Sequence, residues 1–542
     1  MSSVDTARGI EPMHAAPNPV DTDFQVGQDN VQVAGFDMHQ PVFLISAGLV
    51  VAFVTGTLMF PDEAGDWFGT LRTSITEQAD WFFLTVGNLM VVFALMVIVT
   101  PLGTIRLGGE RAQPDYGYFA WFAMLFAAGM GIGLMFYGVS EPISHYESAV
   151  AEGAGGPESW APLAGAAGDP AAAQSLGMAA TLYHWGLHPW AIYGVVALTL
   201  AFFAYNKGLP LTLRSAFYPL LGERIWGWPG HAIDTLAVFA TLFGLATSLG
   251  YGAEQALSGL NYVYGLDETQ TAKIGLILGI TGIALISVVL GIDKGVRRLS
   301  EANMVLAALL LLFVIAVGPT VAILTGFGAN IIGYAENLIP LSNPVGREDD
   351  NYRQGWTAFY WAWWIAWSPF VGTFIARVSR GRTVREFMIA VLVVPTLVSI
   401  LWFTAFGGTA VSQVIEGGYQ GVVDAELPVK LFVMLEQLPL TLITSTIAIG
   451  LVIVFFITSS DSGSLVIDTI TAGGKVDAPV PQRMFWCTFE GLVAIALLVG
   501  GGLAGLQAAA LTTGLPFAVV LLMIMVGTFL GLRDELRARP QL

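Results

Sequence analysis

The sequence has little charge and almost no cysteine. Asp, Glu, Lys and Arg together make up 12% of its 542 residues, against about 25% in a soluble globular protein. That shortage excludes the several soluble domains that the length alone would suggest. The single cysteine, Cys487, excludes a disulfide scaffold. Basic residues are scarce as well: 23 Lys and Arg stand against 40 Asp and Glu, a formal net charge of −17. Phosphate binding needs a basic face, so nucleic acid is excluded as a partner. The opening segment, 1–38, is polar and lacks the apolar h-region of a signal peptide, so it reads as a mobile tail.

Apolar residues are abundant, at 55% of the chain, with a mean hydropathy of +0.68. So much apolar surface excludes disorder and points to an all-α polytopic membrane protein with lipid as its solvent. A bilayer core takes about 20 apolar residues per helix. Twelve transmembrane helices are predicted, over 41–60, 81–101, 117–139, 180–204, 234–263, 273–291, 303–325, 356–377, 387–411, 440–468, 485–503 and 507–531. Helices are expected because unpaired backbone groups cannot face lipid. With both termini inside, 18 of the 23 basic residues fall on the inner side, in keeping with the positive-inside bias. The outer loops hold 20 of the 40 acids, and the loop 140–179 has no Lys or Arg. Such a face suits solubility in salt, and equally cation enrichment near a mouth.

Three stretches break ordinary helix rules. In GMGIGLMFYG, Gly129, Gly131, Gly133 and Gly138 fall within ten residues, where each glycine costs about 1 kcal/mol of helix propensity. The spacing fits a helix-packing face, or an unwound segment that offers carbonyls to an ion or substrate. The second stretch is aromatic: Trp185, Trp190 and Tyr193 in the fourth span, and Trp361, Trp363, Trp364, Trp367 and Phe370 in the eighth. Interfacial belts explain Trp160, Trp226 and Trp228 near loop ends. They suit Trp363, Trp364 and Trp367 poorly, since these lie well inside a helix starting at 356. Two facing clusters would make a box for a cation that cannot hydrogen-bond, such as a quaternary ammonium. The third is FFITSSDSGS, which closes the tenth span. Its hydroxyls suit a hard cation of Na+ type and not zinc, or cap a helix end. Asp461 reads as such a cap or as an inner-gate residue, whereas Thr458 and Ser459 sit deeper.

A weak internal repeat relates spans 3–7 to spans 8–12. The third helix of each half carries a Thr-Ser pair, Thr247-Ser248 and Thr458-Ser459, and the first carries a breaker, the glycines or Pro369. Five helices per half make the second half inverted, the pattern of a secondary transporter. The chain then divides into the tail 1–38, two N-terminal helices in 39–116, a first repeat 117–325, an outer loop 326–355, a second repeat 356–532 and a tail 533–542.

From about 40 to 530 the sequence resembles the betaine/choline/carnitine transporter family. GMGIGLMFYGVSEP, HWGLHPWAIY, SEANMVLAALLLLFVIAVGP, FYWAWWIAWSPFVGTFIARVSRGRTVREF and FFITSSDSGS together carry the resemblance. It implies a LeuT-like 5+5 inverted-repeat core preceded by two extra helices, as a homotrimer in the plasma (inner) membrane. The substrate box would comprise Trp185, Trp190, Tyr193, Trp363, Trp364 and Trp367. Gly131 and Gly133 would pack on the substrate, and Ser248 would lie near its carboxylate. The main sodium would be held by carbonyls of Ala127, Met130 and Phe455 and by the hydroxyls of Thr458 and Ser459. A possible second sodium site would use Thr241 and Phe370, but the place of its second threonine holds Leu245.

The activity implied is Na+ symport, with no enzyme chemistry and no cofactor. With Gly133 there is no acid beside the ammonium, which favours a zwitterion such as glycine betaine. Dimethylsulfoniopropionate, choline and ectoine stand as alternatives, as does an onium sensor that moves nothing. His184 and His188, at i,i+4, lack an evident third metal ligand. Glu254, in the fifth span, is either a proton relay or a helix–helix bond.

Overall fold

The computed structural model describes residues 16–129, 131–156, 158–290 and 293–538. The chain is mostly helical. Nine of the described segments are long and apolar enough to cross a bilayer. In chain order the main helices are α1 (Gln40–Met59), α2 (Pro61–Val99), α3 (Tyr118–Gly129), α4 (Ile132–Val150), α5 (Pro170–Trp185) and α6 (Leu187–Tyr205). There follow α7 (Trp228–Tyr264), α8 (Gln270–Leu290), α9 (Asp293–Val317), α10 (Thr320–Ser342), α11 (Ala358–Val378), α12 (Val384–Ile415), α13 (Thr441–Thr471) and α14 (Val480–Ala538).

Several helices outrun the apolar stretches that announce them. Helix α2 begins twenty residues before the expected span, because Pro61 and the acids Asp62 and Glu63 start a helix well outside the apolar run. The segment 326–355, expected as a loop, is helical through Ser342. Helix α13 continues to Thr471, so Asp461 lies inside a helix and not at its end. Helix α14 is two helices joined at Gly502, whose φ of 56° is open to glycine at little cost; this is the break expected between the last two stretches.

The expected tail is held in place over its described part. Asn30–Val33 (β1) and Phe36–His39 (β2) form an antiparallel hairpin. Lys475 Nζ donates to Asp37 Oδ2 at 2.5 Å, and Asn30 Nδ2 donates to the Ala472 carbonyl at 2.9 Å. His39, at the end of the hairpin, accepts from Arg214 Nη1 at 3.4 Å, and Arg214 Nε in turn pairs with Asp234 at 2.5 Å. The expected inner basic loop after α11 is also tied down. Arg382 lies 4.4 Å over the rings of both Tyr118 and Trp121 and bonds Glu386. Thr383 opens α12 with a capping box to Glu386.

At the centre, α11 packs against α6, α7 and α14, and α7 packs against α13 and α14. Most side chains of α11 are buried. Helices α8 and α9 lie at the periphery with mostly exposed apolar faces, as a lipid-facing element requires.

Candidate functional site

The glycine stretch resolves into a break. Helix α3 ends at Gly129, Gly131 is extended (φ −167°, ψ −171°), and α4 begins at Ile132. Met130, an expected sodium ligand, lies outside the described residues. The break brings backbone against indoles. A Cβ on Gly133 would stand 2.7 Å from Trp185 Cη2 and 3.3 Å from Trp363 Cη2, whereas one on Gly131 would meet nothing closer than Trp367 Cη2 at 3.9 Å. Gly133 is therefore required for close approach, and Gly131 is not.

Around this point lies a cavity of about 20 Å³ lined by Gly131, Ile132, Gly133, Leu134, Trp185, Ser248, Trp363, Trp364, Trp367 and Ser459. Seven of the nine expected substrate residues thus share one wall. Trp185 comes from the end of α5, the three other indoles from α11, Ser248 from α7 and Ser459 from α13. Trp363 and Trp364 stack at 4.7 Å, and Trp185 meets Trp364 edge-on at 4.9 Å. Their N–H groups are directed away from one another: Trp363 donates to Ser248 Oγ (3.2 Å) and Trp364 to the His184 carbonyl (2.9 Å).

The other two expected residues stand behind the wall. Tyr193 packs on Trp364 and Trp367 at 6.3 and 6.2 Å, and Trp190 packs on Tyr193 at 5.5 Å. Trp367 Nε1 and the Tyr193 hydroxyl are buried without a hydrogen-bond partner.

Ser459 of α13 shares the cavity with Gly131 and Ile132 at the helix break. Thr458 Oγ1 donates within its helix to Val454 (3.0 Å) and Phe455 (3.3 Å), which leaves its lone pairs for a cation. Thr241 is buried and donates to the Ala237 carbonyl of its own helix, while Phe370 packs on Trp367 at 5.6 Å. Leu245 is wedged against Gly463, where a Cβ would stand 2.1 Å from Leu245 Cδ2. The place of the missing threonine is thus filled by packing.

Above the box sits a polar cluster that the sequence reading missed. Glu141 of α4, taken there as an outer-loop acid, is fully buried. Its Oε2 accepts from Trp185 Nε1 (2.7 Å) and from the Tyr360 hydroxyl (2.5 Å). Its Oε1 bonds His184 Nδ1 (2.5 Å) and His145 Nε2 (3.2 Å). Glu141, His145 and His184 each offer a ligand atom within 4.8 Å of the others, a spacing a metal can use. The four donors already fill the carboxylate.

The His184/His188 pairing does not form. Gly186 separates α5 from α6, and His188 bonds Asn88 at 3.0 Å and stacks on Trp361. Glu254 is ion-paired with Lys273, which replaces the relay reading with a helix–helix bond. Tyr137 was also missed; it meets Tyr360 at 5.3 Å and both Trp185 and Trp363 at 6.2 Å. Its signal was its place in FYG, one residue before Gly138, whose absent side chain makes room for Trp402.

Residues 41–537 match the profile of the betaine/carnitine/choline family transporters. The chain is 61% identical to a glycine betaine/proline/choline transporter of Vibrio parahaemolyticus serotype O3:K6, over 99% of this chain and 98% of that one. It is 55% identical to glycine betaine transporter 1 of the same organism, over 95% and 97%. It is 42% identical to the glycine betaine transporter OpuD of Bacillus subtilis, over 92% and 95%.

Proposed function

The chain belongs to the betaine/carnitine/choline transporter family, and from that premise we propose that it takes up glycine betaine by Na+ symport with alternating access. The observation that carries this reading is the cavity lined by Trp185, Trp363, Trp364 and Trp367, with Gly133 close against Trp185 and Trp363. Indole faces attract an onium that has no proton to donate. Ser248, whose hydroxyl accepts from the Trp363 N–H, is a polar side chain at the cavity for the carboxylate end. Among the described residues no acid lines the cavity, which favours a zwitterion over a net cation. Proline and choline, named for the first relative above, are the next solutes to test.

Na+ is a co-transported substrate in this reading. The groups to hold it are the hydroxyls of Thr458 and Ser459, the carbonyls of Phe455 and Ala127, and the carbonyl of Met130, which lies outside the described residues. Leu245 packed on Gly463 argues for one such site and against a second at Thr241 and Phe370. Twelve spans in a LeuT-like five-plus-five arrangement, a homotrimer in the inner membrane and cytoplasmic termini complete the proposal. The distribution of basic residues supports the orientation.

Radiolabelled betaine uptake into proteoliposomes tests the reading. Accumulation is expected with an inward Na+ gradient and not when K+ replaces Na+. Accumulation unaffected by that replacement would overturn Na+ coupling, and saturable binding without accumulation would make the protein a sensor.

A further inference from the structure

We infer that Glu141 is a positioning residue of the box, which fixes the Trp185 and Tyr360 rings and enriches the π face of Trp185. The inference deepens the transport reading and rests on it. A carboxylate has about four lone-pair positions, and all four are used here: two for the imidazoles of His184 and His145, one for the Trp185 indole and one for the Tyr360 phenol. The group therefore ties α4, just beyond the break, to the end of α5 and to α11. It also explains why a carboxylate can be buried at this depth. His184 bonds Glu141 through one nitrogen and Thr357 Oγ1 through the other, at 3.0 Å, so both of its ring nitrogens are held.

Two consequences reach the cavity. Trp185 lines it, and an indole with two rotatable bonds is held by whatever fixes its N–H. Tyr360 packs on Trp185 and on Trp364 at 5.6 Å each, so the phenol anchored to the same oxygen supports both walls. An N–H that donates to an anion also polarises its ring, which raises the negative charge on the face available to an onium.

Glutamine at 141 removes the negative charge behind the Trp185 N–H, and it keeps all four hydrogen bonds only if both imidazoles turn to the tautomers that accept from its amide. The test compares wild-type protein and Glu141→Gln in proteoliposomes. It uses betaine as substrate, and as competitor its uncharged-head isostere, the tert-butyl carboxylate with carbon in place of nitrogen. The expected result for Glu141→Gln is a betaine KM raised about tenfold and a preference for betaine over the isostere reduced at least about threefold. Half-saturating Na+ is expected to stay within about twofold.

A variant with lower maximal uptake but wild-type KM and preference would overturn the inference, since loss of folded protein lowers only the maximum. If Glu141→Gln is not recovered folded, Tyr360→Phe takes its place: a KM raised about threefold supports the inference, and a wild-type KM overturns it. Absence of saturable betaine uptake by the wild type would overturn the transport reading and this inference together. Normal wild-type uptake beside an unaltered variant would overturn this inference alone.

Discussion

Gly133 and Trp185 approach so closely that a single added methyl group would stand 2.7 Å from the indole Cη2. Carbon atoms come to rest at about 3.5–4.0 Å, so the ring or the helix start would have to move. Gly133→Ala is expected to lower betaine uptake at least about tenfold, because displacements near 1 Å at a site are costly. Gly131→Ala, with 3.9 Å to its nearest neighbour, is expected to stay within about threefold. Parallel uptake assays on the two variants check this contrast.

Trp367→Leu keeps an apolar side chain and removes a π face. One ring contributes about 0.5–2 kcal/mol to holding an onium, so KM for betaine is expected to rise about 2- to 30-fold. Trp190→Leu, one layer behind the wall, is expected to move KM less than Trp367→Leu. Saturation curves for both variants decide it.

Thr458→Ala removes a hydroxyl from the proposed Na+ site and an intrahelical hydrogen bond that contributes little. Half-saturating Na+ is expected to rise roughly tenfold, with a melting temperature within about 3 °C of wild type. Uptake against Na+ concentration, beside thermal unfolding in detergent, separates the two effects.

Burial, and then the Arg214 guanidinium and His231 beside it, hold the His39 imidazole down to about 4. The unfolded chain binds this proton near pH 6.5 and the folded one does not. His39 therefore supports the fold fully above pH 6.5, and that support is lost as pH falls toward 4. Stability in detergent is expected to drop by roughly 1–3 kcal/mol across that window on its account. His39→Gln is expected to flatten the slope of melting temperature against pH.

How much of this was readable in sequence depended on what each residue's neighbours reveal. Trp363, Trp364 and Trp367 announced a shared face because helical spacing alone sets it, and all three line the cavity. Trp190 and Tyr193 lie on α6, past the Gly186 break that parts them from Trp185, and one layer back, a depth that spacing cannot give. Glu141 was missed because the apolar run stops at 139 while the helix continues to Val150. Hydropathy measures where lipid begins, not where a helix ends. The same reason hid the first half of α2 and all of α10 beyond 325. His184 was noticed, but its true partners, Glu141 and His145, come from another helix.

The cavity between the indoles, at about 20 Å³, has room for little more than one water molecule. A three-methyl head is much larger. For any such guest to fit, the cavity has to widen, and the cost of widening it is subtracted from the affinity. Solutes too slender to keep the rings apart gain no grip from them. Selectivity would then arise from girth as much as from charge.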